Sequence, residues 1–330
     1  MTQLSVLDLA PITEGSDATQ SFKNSVEIAQ LAESLGYKRY WLAEHHNIPG
    51  IASAATAVLL SHVGAHTKTI RIGSGGVMLP NHAPLVIAEQ FGTLASLYPD
   101  RIDLGLGRAP GTDGLTAQAL RRTLNANVDS FPRDVLELQQ YFADLEPGQK
   151  IQAVPGAGLK VPLWILGSSL YGAELAAHFG LPYAFASHFA PTDLRHALHV
   201  YRQNFKPSAQ LDKPYVMAAM NLQAADTREE ADFIVTSLMQ GVLGLARGMP
   251  IKLPPPVKGF ADRLGPQENA AISRFMTYTA RGDATDVSER LREFKAETDA
   301  DEIILTAQIF DHQARLRAFE IAATAMETLA

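Results

Sequence analysis

The 330-residue chain contains no cysteine. This absence excludes disulfide bridges, thiolate metal sites and a cysteine nucleophile. The chain also lacks an apolar run of the ~20 residues that a membrane-spanning helix needs. Its first residues show no basic region followed by an apolar stretch, and acidic side chains appear by Asp8 and Glu14. We therefore expect no signal peptide, no membrane partner and a cytoplasmic protein.

An excess of basic residues is also missing. Lysine and arginine number 28 against 35 acidic residues, which gives a formal net charge of −7. No basic cluster interrupts this balance, so the sequence argues against a nucleic-acid-binding surface. Hydrophobic residues make up 46% of the chain, an ordinary proportion for a globular protein with a large core.

Strand and helix patterns alternate along the whole chain. Each short apolar run is followed by a longer stretch with helical periodicity, and this order repeats eight times. Such alternation predicts an α/β fold, a (β/α)8 TIM barrel formed by residues 1–330 as a single domain. The predicted strands are Leu4–Leu9, Arg39–Ala43, Ile70–Met78, Ile102–Gly107, Val161–Leu166, Tyr183–Ala186, Tyr215–Ala225 and Glu302–Leu305.

A long insertion, about residues 247–285, precedes the eighth predicted strand. Its first part, Arg247–Pro266, includes the proline triplet Pro254 to Pro256, which neither a helix nor a central strand accommodates. We interpret this part as a lid over the barrel mouth, with disorder as the alternative. Helical patterns resume at Gln267–Ala280 and Val287–Glu297.

Three ionisable residues follow the second strand. Glu44, His45 and His46 come directly after the apolar run, and Asn47 to Gly50 break the pattern. The C-terminal ends of barrel strands are where such enzymes keep their chemistry. Adjacent residues of an extended segment point to opposite sides, so we expect one imidazole to face the pocket. Two hydrogen-bonded structural histidines are the alternative.

Glycines and one arginine mark the third and fourth strands. Gly75 and Gly76 remove side chains from a strand, which suggests either close approach of a flat ligand or a β-bulge. Arg108 follows the fourth strand and offers a fixed cation for a carboxylate or phosphate, unless it forms a structural salt bridge. The glycine pattern around Arg108 is no dinucleotide fingerprint, because Pro110 follows it in place of a helix.

Small polar residues follow the fifth strand. Gly167, Ser168 and Ser169 lead into a helix through Tyr171 and Gly172. Free backbone N–H groups at a helix start bind anions, although an ordinary serine N-cap has the same appearance. With Arg108 in the neighbouring loop, we favour a phosphate site.

Histidine pairs elsewhere do not predict a metal. His62 and His66 are four residues apart on a predicted helix, but Val63 occupies the position where a metalloprotease carries its glutamate. An outer helix is also remote from the barrel mouth. Ser187 and His188, after the sixth strand, are better candidates for the substrate pocket.

These motifs together resemble one family. The chain is similar to the luciferase-like monooxygenases, flavin-dependent (β/α)8 barrels of the bacterial-luciferase type, and in particular to single-subunit, uncharacterised bacterial members. The resemblance covers essentially the whole chain. It rests on RYWLAEHHN (39–47), SGGVMLPNHAPLVIAEQFGTL (74–94), RIDLGLGRAPG (101–111) and WILGSSLYGAELAAHFGLP (164–182).

The resemblance implies a monooxygenase mechanism. FMN would arrive reduced from a separate NAD(P)H:flavin reductase, react with dioxygen to a flavin C4a-peroxide, and oxidise a small organic substrate. His45 then matches the family's proton-transfer histidine, and Gly75-Gly76 a frequent non-prolyl cis peptide under the flavin. The implied flavin-phosphate binders are Arg108 and the 167–172 loop, namely Gly167, Ser168, Ser169, Tyr171 and Gly172. A homodimer is usual in the family.

The chain departs from luciferase at the pocket. Gly107 replaces a reactive cysteine, and Ser187 and His188 replace tryptophans, which argues against light emission and a long-chain aldehyde. With Glu44, these residues form the predicted substrate pocket, and no metal is expected. Two other functions remain open: a flavin-binding protein without turnover, and an oxidoreductase that uses the deazaflavin coenzyme F420 on the same barrel.

Overall fold

Parallel strands and outer helices alternate in the computed structural model, which describes residues 2–109, 111, 114–120 and 130–326. The strands are β1 (Gln3–Asp8), β2 (Arg39–Leu42), β3 (Arg71–Met78), β4 (Ile102–Gly107), β5 (Leu163–Gly167), β6 (Tyr183–Phe185), β7 (Val216–Ala224), β8 (Thr279–Gly282) and β9 (Glu302–Thr306). The helices are α1 (Ala18–Ser34), α2 (Thr56–Ala65), α3 (Pro84–Leu97), α4 (Gly114–Leu120), α5 (Phe131–Phe142), α6 (Leu170–Phe179), α7 (Leu194–Asn204), α8 (Arg228–Ala246), α9 (Pro266–Phe275), α10 (Ala284–Thr298) and α11 (His312–Thr324).

Eight of these strands close into a barrel. The sheet runs in chain order from β1 to β6, β6 pairs with β7, and β9 lies between β7 and β1. Every pairing between these strands is parallel, because each crossover passes through at least one outer helix. The predicted (β/α)8 TIM barrel is confirmed.

The strand β8 was not predicted. We expected a helix over Gln267–Ala280, but α9 ends at Phe275 and Thr279–Gly282 pairs with β7. The reason lies in β6, which pairs only with residues 216–218 of β7. The rest of that edge of β7 would have unpaired backbone N–H and C=O groups, and β8 supplies their partners from Asn221 to Ala224.

The outer helices begin in different ways. The helix α2 begins at Thr56, and the buried hydroxyl of Ser53, which precedes it, has no hydrogen-bond partner among the described residues. Two helices, α4 and α5, lie between β4 and β5, and residues 121–129 between them lie outside the described part. Asp311 caps α11, because its carboxylate accepts from the Ala314 N–H at 2.8 Å.

The insertion before β8 is fixed to the C-terminal end of the barrel. Leu253 is buried and exchanges backbone hydrogen bonds with the segment after β1: its N–H donates to Ile12 and its carbonyl accepts from Glu14. Gln240 of α8 donates to the Pro255 carbonyl at 3.0 Å. The insertion therefore lies beside the loops that follow β1 and β2. Its action as a lid remains a prediction.

The barrel interior is apolar in its middle and charged at its N-terminal end. Trp41 and Trp164 meet edge to face with ring centroids 5.0 Å apart. Below them, the Arg39 guanidinium pairs with Glu302 at 3.0 Å and with Asp103 at 2.5 Å, and all three side chains are almost fully buried. Arg71, 2.7 Å from Asp103, and Lys38, 3.8 Å from Glu302, add positive charge, and this network closes the end of the barrel opposite the predicted site.

We expect Arg39→Met to lower the free energy of unfolding by ~3–5 kcal/mol, because it leaves two buried carboxylates without their shared cation. Urea titration measures the loss. The matched control is Arg195→Met, since Arg195 is 78% exposed and lies 3.8 Å from Glu297; exposed pairs contribute ~0–1 kcal/mol. Equal losses in the two variants would show that the buried network does not stabilise the barrel.

Candidate active site

The segment after β2 encloses a carboxylate. Glu44 is 2% exposed, and its Oε1 lies 2.8 Å from Nε2 of both His46 and His82. Its Oε2 accepts from the Met78 N–H at 3.1 Å. These hydrogen bonds hold the pKa of Glu44 below its usual range against the opposing effect of burial. Glu44 thus joins the ends of β2 and β3, and its predicted place in the substrate pocket remains a prediction.

His45 has different surroundings from His46. Its ring is half-buried, and Nδ1 lies 3.3 Å from the carbonyl oxygen of Gly111, in the loop after β4. Burial lowers the pKa of His45, so the ring is neutral at neutral pH. A carbonyl oxygen only accepts, so Nδ1 carries the proton in this ring and Nε2 keeps a lone pair. The two histidines therefore face separate partners, as the alternation predicts.

Gly75 and Gly76 lie where β3 loses its regular register. Their peptide bond is cis, and the pairing with β4 shifts between Ser74 and Val77. A Cβ on Gly76 would lie 2.7 Å from the Gly105 carbonyl oxygen, so the backbone of β4 already demands glycine here. The bulge that we considered as an alternative is present.

Arg108 lies at the end of β4, immediately after Gly107. Its guanidinium stacks on the ring of Tyr171, 3.9 Å from the centroid, and the side chain is exposed. The ion pairs found among the described residues do not include Arg108, so the structural salt bridge that we considered is not seen there. The stacking places a cation beside the start of α6.

The loop from Gly167 to Gly172 lies beside the Arg108 guanidinium. The Tyr183 hydroxyl donates to the Ser169 carbonyl at 3.1 Å and fixes the loop. A Cβ on Gly172 would lie 3.3 Å from the Gly167 Cα, which shows how closely the two glycines approach. Ser169 is the N-cap residue of α6, but its side chain makes no capping hydrogen bond. Ser169 therefore leaves the first N–H groups of α6 available, and no other side chain of the described residues accepts from them, as an anion site requires.

Ser187 and His188 follow β6. Ser187 is buried, and its hydroxyl donates to the Ala219 carbonyl at 2.6 Å. A role in the pocket would require the Ser187 hydroxyl to contact the substrate as well as the Ala219 carbonyl. The His188 carbonyl accepts from Asn221 of β7 at 2.6 Å, while its buried Nδ1 has no partner among the described residues. Burial, and then the charge of a protonated His45, lower the pKa of His188 to about 3. The two imidazoles therefore lie within range of electrostatic interaction.

Several positioning residues were not predicted, notably His82, Gly111, Tyr183 and Asn221. His82 is 38 positions from Glu44 in the chain, and no local spacing connects them. Within the described ranges no group of three or more His, Asp or Glu side chains could hold a metal ion. The His62 and His66 rings touch, 4.6 Å between centroids, at the end of α2 that leads away from the site.

Comparison with known proteins gives consistent matches over the whole chain. The profile of the family described as luciferase-like monooxygenase matches residues 2–304. A protein of Escherichia coli (strain K12) named luciferase-like monooxygenase is 55% identical over 98% of this chain and 97% of its own length. The uncharacterized protein YvbT of Bacillus subtilis (strain 168) is 51% identical over 98% of this chain and 96% of its own. The crystal structure of apo-MsnO8 superimposes with a TM-score of 0.91 at 35% identity, with 99% of both chains covered.

More distant structures share the fold alone. The oxygenating constituent of 3,6-diketocamphane monooxygenase from Pseudomonas putida, solved with FMN, superimposes with a TM-score of 0.72 at 16% identity and 98% coverage of both chains. An F420-dependent secondary alcohol dehydrogenase superimposes with a TM-score of 0.71 at 16% identity, over 100% of this chain and 99% of that one. No helix in the described part of the chain is both long and apolar enough to cross a membrane.

We expect Glu44→Gln to lower the free energy of unfolding at pH 7 by ~1–3 kcal/mol, because the buried hydrogen bonds lose their charge. The parent should also lose stability as pH falls below about 4.5, the ordinary pKa of a glutamate, because the unfolded chain then binds a proton that folded Glu44 does not. In Glu44→Gln this part of the pH dependence disappears.

Unfolding at a series of pH values tests this expectation, with Glu289→Gln on the exposed face of α10 as the control. Identical pH profiles for the parent and Glu44→Gln would contradict it.

Proposed function

Because the chain belongs to the luciferase-like monooxygenase family, we propose that it is a flavin-dependent monooxygenase. It would take reduced FMN from a separate NAD(P)H:flavin reductase and use dioxygen to oxidise a small organic substrate. The observation that carries the proposal is Arg108, stacked on Tyr171 beside the uncapped start of α6. A fixed cation and free backbone donors in one place fit the phosphate of FMN.

The neighbouring strand ends fit the rest of a flavin. The strands β3 and β4 carry glycines near their ends, at Gly75, Gly76 and Gly107, next to the proposed phosphate site on β4 and β5. A flat ring system needs such a surface, and glycine permits close approach to the backbone. Reduced flavin, when bound, supplies the activation of dioxygen. The chain binds and orients it, excludes water and handles protons.

His45 is the residue that we propose for proton transfer. It is neutral at neutral pH, and its Nδ1 points to the Gly111 carbonyl, so Nε2 is the atom with a free lone pair. An imidazole in this state accepts a proton as a general base and returns it as a general acid. Glu44 and His46 position the segment and do not share this task, because their polar atoms already bond each other.

Exclusion of water is the second requirement. The insertion from residue 247 to 265 is fixed beside the mouth through Leu253 and Pro255, and we propose that it covers the bound flavin and substrate. Closing a site removes solvent that would divert the reaction. A relative from Bacillus subtilis (strain 168), 35% identical over 72% of this chain, is named N-acetyl-S-alkylcysteine monooxygenase, so small N-acetylated thioethers belong in the first substrate screen. A homodimer and a cytoplasmic location remain predictions.

Arg108→Ala should weaken FMN binding roughly ten- to a hundredfold, because a charge-assisted contact with phosphate is worth ~1.5–3 kcal/mol. Riboflavin, which lacks the phosphate, should bind Arg108→Ala and the parent about equally. Fluorescence titration measures both ligands, and Arg133→Ala, an 81% exposed arginine on α5, is the control. Equal losses for FMN and riboflavin would assign Arg108 to the structure of the rim. Tighter binding of F420 than of FMN by the parent would favour the deazaflavin alternative.

His45→Asn should fold and bind FMN like the parent but lose roughly 10²–10⁴ in turnover, because it removes the titratable nitrogen. The parent's kcat/KM should fall on the acid side only below pH 6.5, since burial lowers the pKa of His45 from that value. Substrate-dependent oxygen uptake and product mass are the measurements. His46→Asn is the matched variant and should alter stability more than turnover. Normal turnover in His45→Asn would contradict the assignment, and a parent that binds FMN without turnover would favour a flavin carrier.

A further inference from the structure

Buried polar atoms without partners gather on one wall of the barrel mouth. The Thr306 hydroxyl, the Thr279 hydroxyl, Gln223 Oε1 and His188 Nδ1 are each shielded from solvent and have no hydrogen-bond partner among the described residues. Leaving a buried polar atom unpaired costs free energy, and native proteins keep few of them. Four of them near one another therefore call for an explanation.

Strand register places these atoms together. Asn221 of β7 pairs with Thr279 of β8 on one side and with Thr306 of β9 on the other, so the three residues stand in one row across the sheet. Gln223 is two positions further along β7, on the same face as Asn221. His188 joins the row because its carbonyl accepts from the Asn221 side chain at 2.6 Å. We call these five residues the polar row.

The polar row faces the barrel interior. Met217 and Ala219 of β7 and Ile304 of β9 belong to the apolar cluster inside the barrel. Side chains alternate along a strand, so Asn221, Gln223 and Thr306 point the same way, one or two layers closer to the mouth. The proposed flavin surface lies across the barrel on β3, β4 and β5, and His45 lies within range of electrostatic interaction with His188. The row is therefore the wall opposite the flavin surface.

The chemistry of the row indicates what it binds. Two hydroxyl groups can donate or accept, the glutamine oxygen accepts, and the row contains no acidic or basic group other than the imidazole of His188. Arg281 of β8 pairs with Gln223 in the strand register, but its guanidinium is directed to Asp232 of α8, 3.2 Å away. A carboxylate would have to compete with Asp232 for this arginine, and an ammonium would find no carboxylate in the row. An uncharged group with both a donor and an acceptor satisfies these atoms together. An amide is the smallest common group of this kind.

We propose that the polar row is the substrate-recognition site and that it takes the amide group of a small, uncharged substrate. The amide N–H donates to Gln223 Oε1, and the amide carbonyl accepts from the hydroxyl group of Thr306 on the neighbouring strand. The rest of the substrate then lies between the row and the flavin surface, within reach of His45. This inference rests on the proposed function, which supplies the flavin on the opposite wall.

The test compares two probes of the same shape, pentanamide and 2-hexanone, on FMN-saturated protein. Pentanamide has a donor and an acceptor, whereas 2-hexanone has only an acceptor. Ligand-observed NMR titration gives both dissociation constants. The parent should bind pentanamide roughly three- to tenfold more tightly, the value of one net hydrogen bond. Gln223→Leu should remove this preference while 2-hexanone binds as before, because the ketone has no N–H to lose. Thr306→Val removes the donor to the carbonyl that both probes carry, so it should weaken the binding of both.

Thermal unfolding of the ligand-free protein gives an independent readout. Thr306→Val removes an unpaired buried hydroxyl, so its midpoint should equal or exceed that of the parent. The matched control is Thr298→Val in α10, whose hydroxyl is also buried but donates to the Phe294 carbonyl at 2.7 Å. This variant should unfold at a lower temperature than the parent and keep the preference for pentanamide.

Four results would overturn the proposal: no preference for pentanamide in the parent, the same preference in Gln223→Leu, unchanged binding of both probes in Thr306→Val, or a midpoint for Thr306→Val as low as that for Thr298→Val. The last result would mean that internal water already pairs the hydroxyl. The titration of FMN into the parent separates these outcomes from a failure of the proposed function. Without FMN binding the flavin proposal fails, whereas FMN binding without pentanamide preference refutes the polar row alone.

Discussion

The candidate site depends on the hydrogen bonds of the buried Glu44 carboxylate. Its two oxygens bind His46, His82 and the Met78 N–H, and so connect the end of β2 with the end of β3 and the segment after it. His45 is the next residue, and its direction follows from this anchor. A negative charge is tolerated in the interior because polar hydrogens surround it. Glu44 therefore positions the segment that carries His45, and its contact with a substrate remains a prediction.

The barrel mouth divides into walls with different chemistry because each wall consists of different strand ends. The ends of β3, β4 and β5 carry glycines, Arg108 and the start of α6, a combination suited to a flat anionic cofactor. The segment after β6 and the strands β7, β8 and β9 carry buried uncharged polar atoms that have no hydrogen-bond partner among the described residues. β8 is essential to this division, because it brings Thr279 next to Asn221. In a parallel barrel all these ends meet at one face, so distant parts of the chain form one site.

The sequence predicts the barrel well, since apolar runs and helical periodicity depend on local order. It predicts Glu44, His45, Arg108 and the 167–172 loop as site residues for the same reason, because each follows directly after a strand. It does not predict β8, whose four residues become a strand only because β6 leaves an edge of β7 free. Nor does it reveal that His188 and His45 lie within range of electrostatic interaction, or that unpaired atoms gather near Asn221. These contacts depend on the register between strands and on the closure of the barrel, which local sequence patterns do not encode.

Burial of His45 and His188 sets the protonation state of both imidazoles in the proposed reaction. The pKa of His45 and the pKa of His188 are both lowered mainly by desolvation, so both imidazoles are neutral at neutral pH. Glu44 keeps its negative charge, but its Oε1 is hydrogen-bonded to His46 and His82. Arg108 lies exposed at the rim. A positive charge on one imidazole would be opposed by its surroundings and by the neighbouring ring. A proton accepted by His45 is therefore returned readily, which is the behaviour that a general acid–base group needs in a site closed to water.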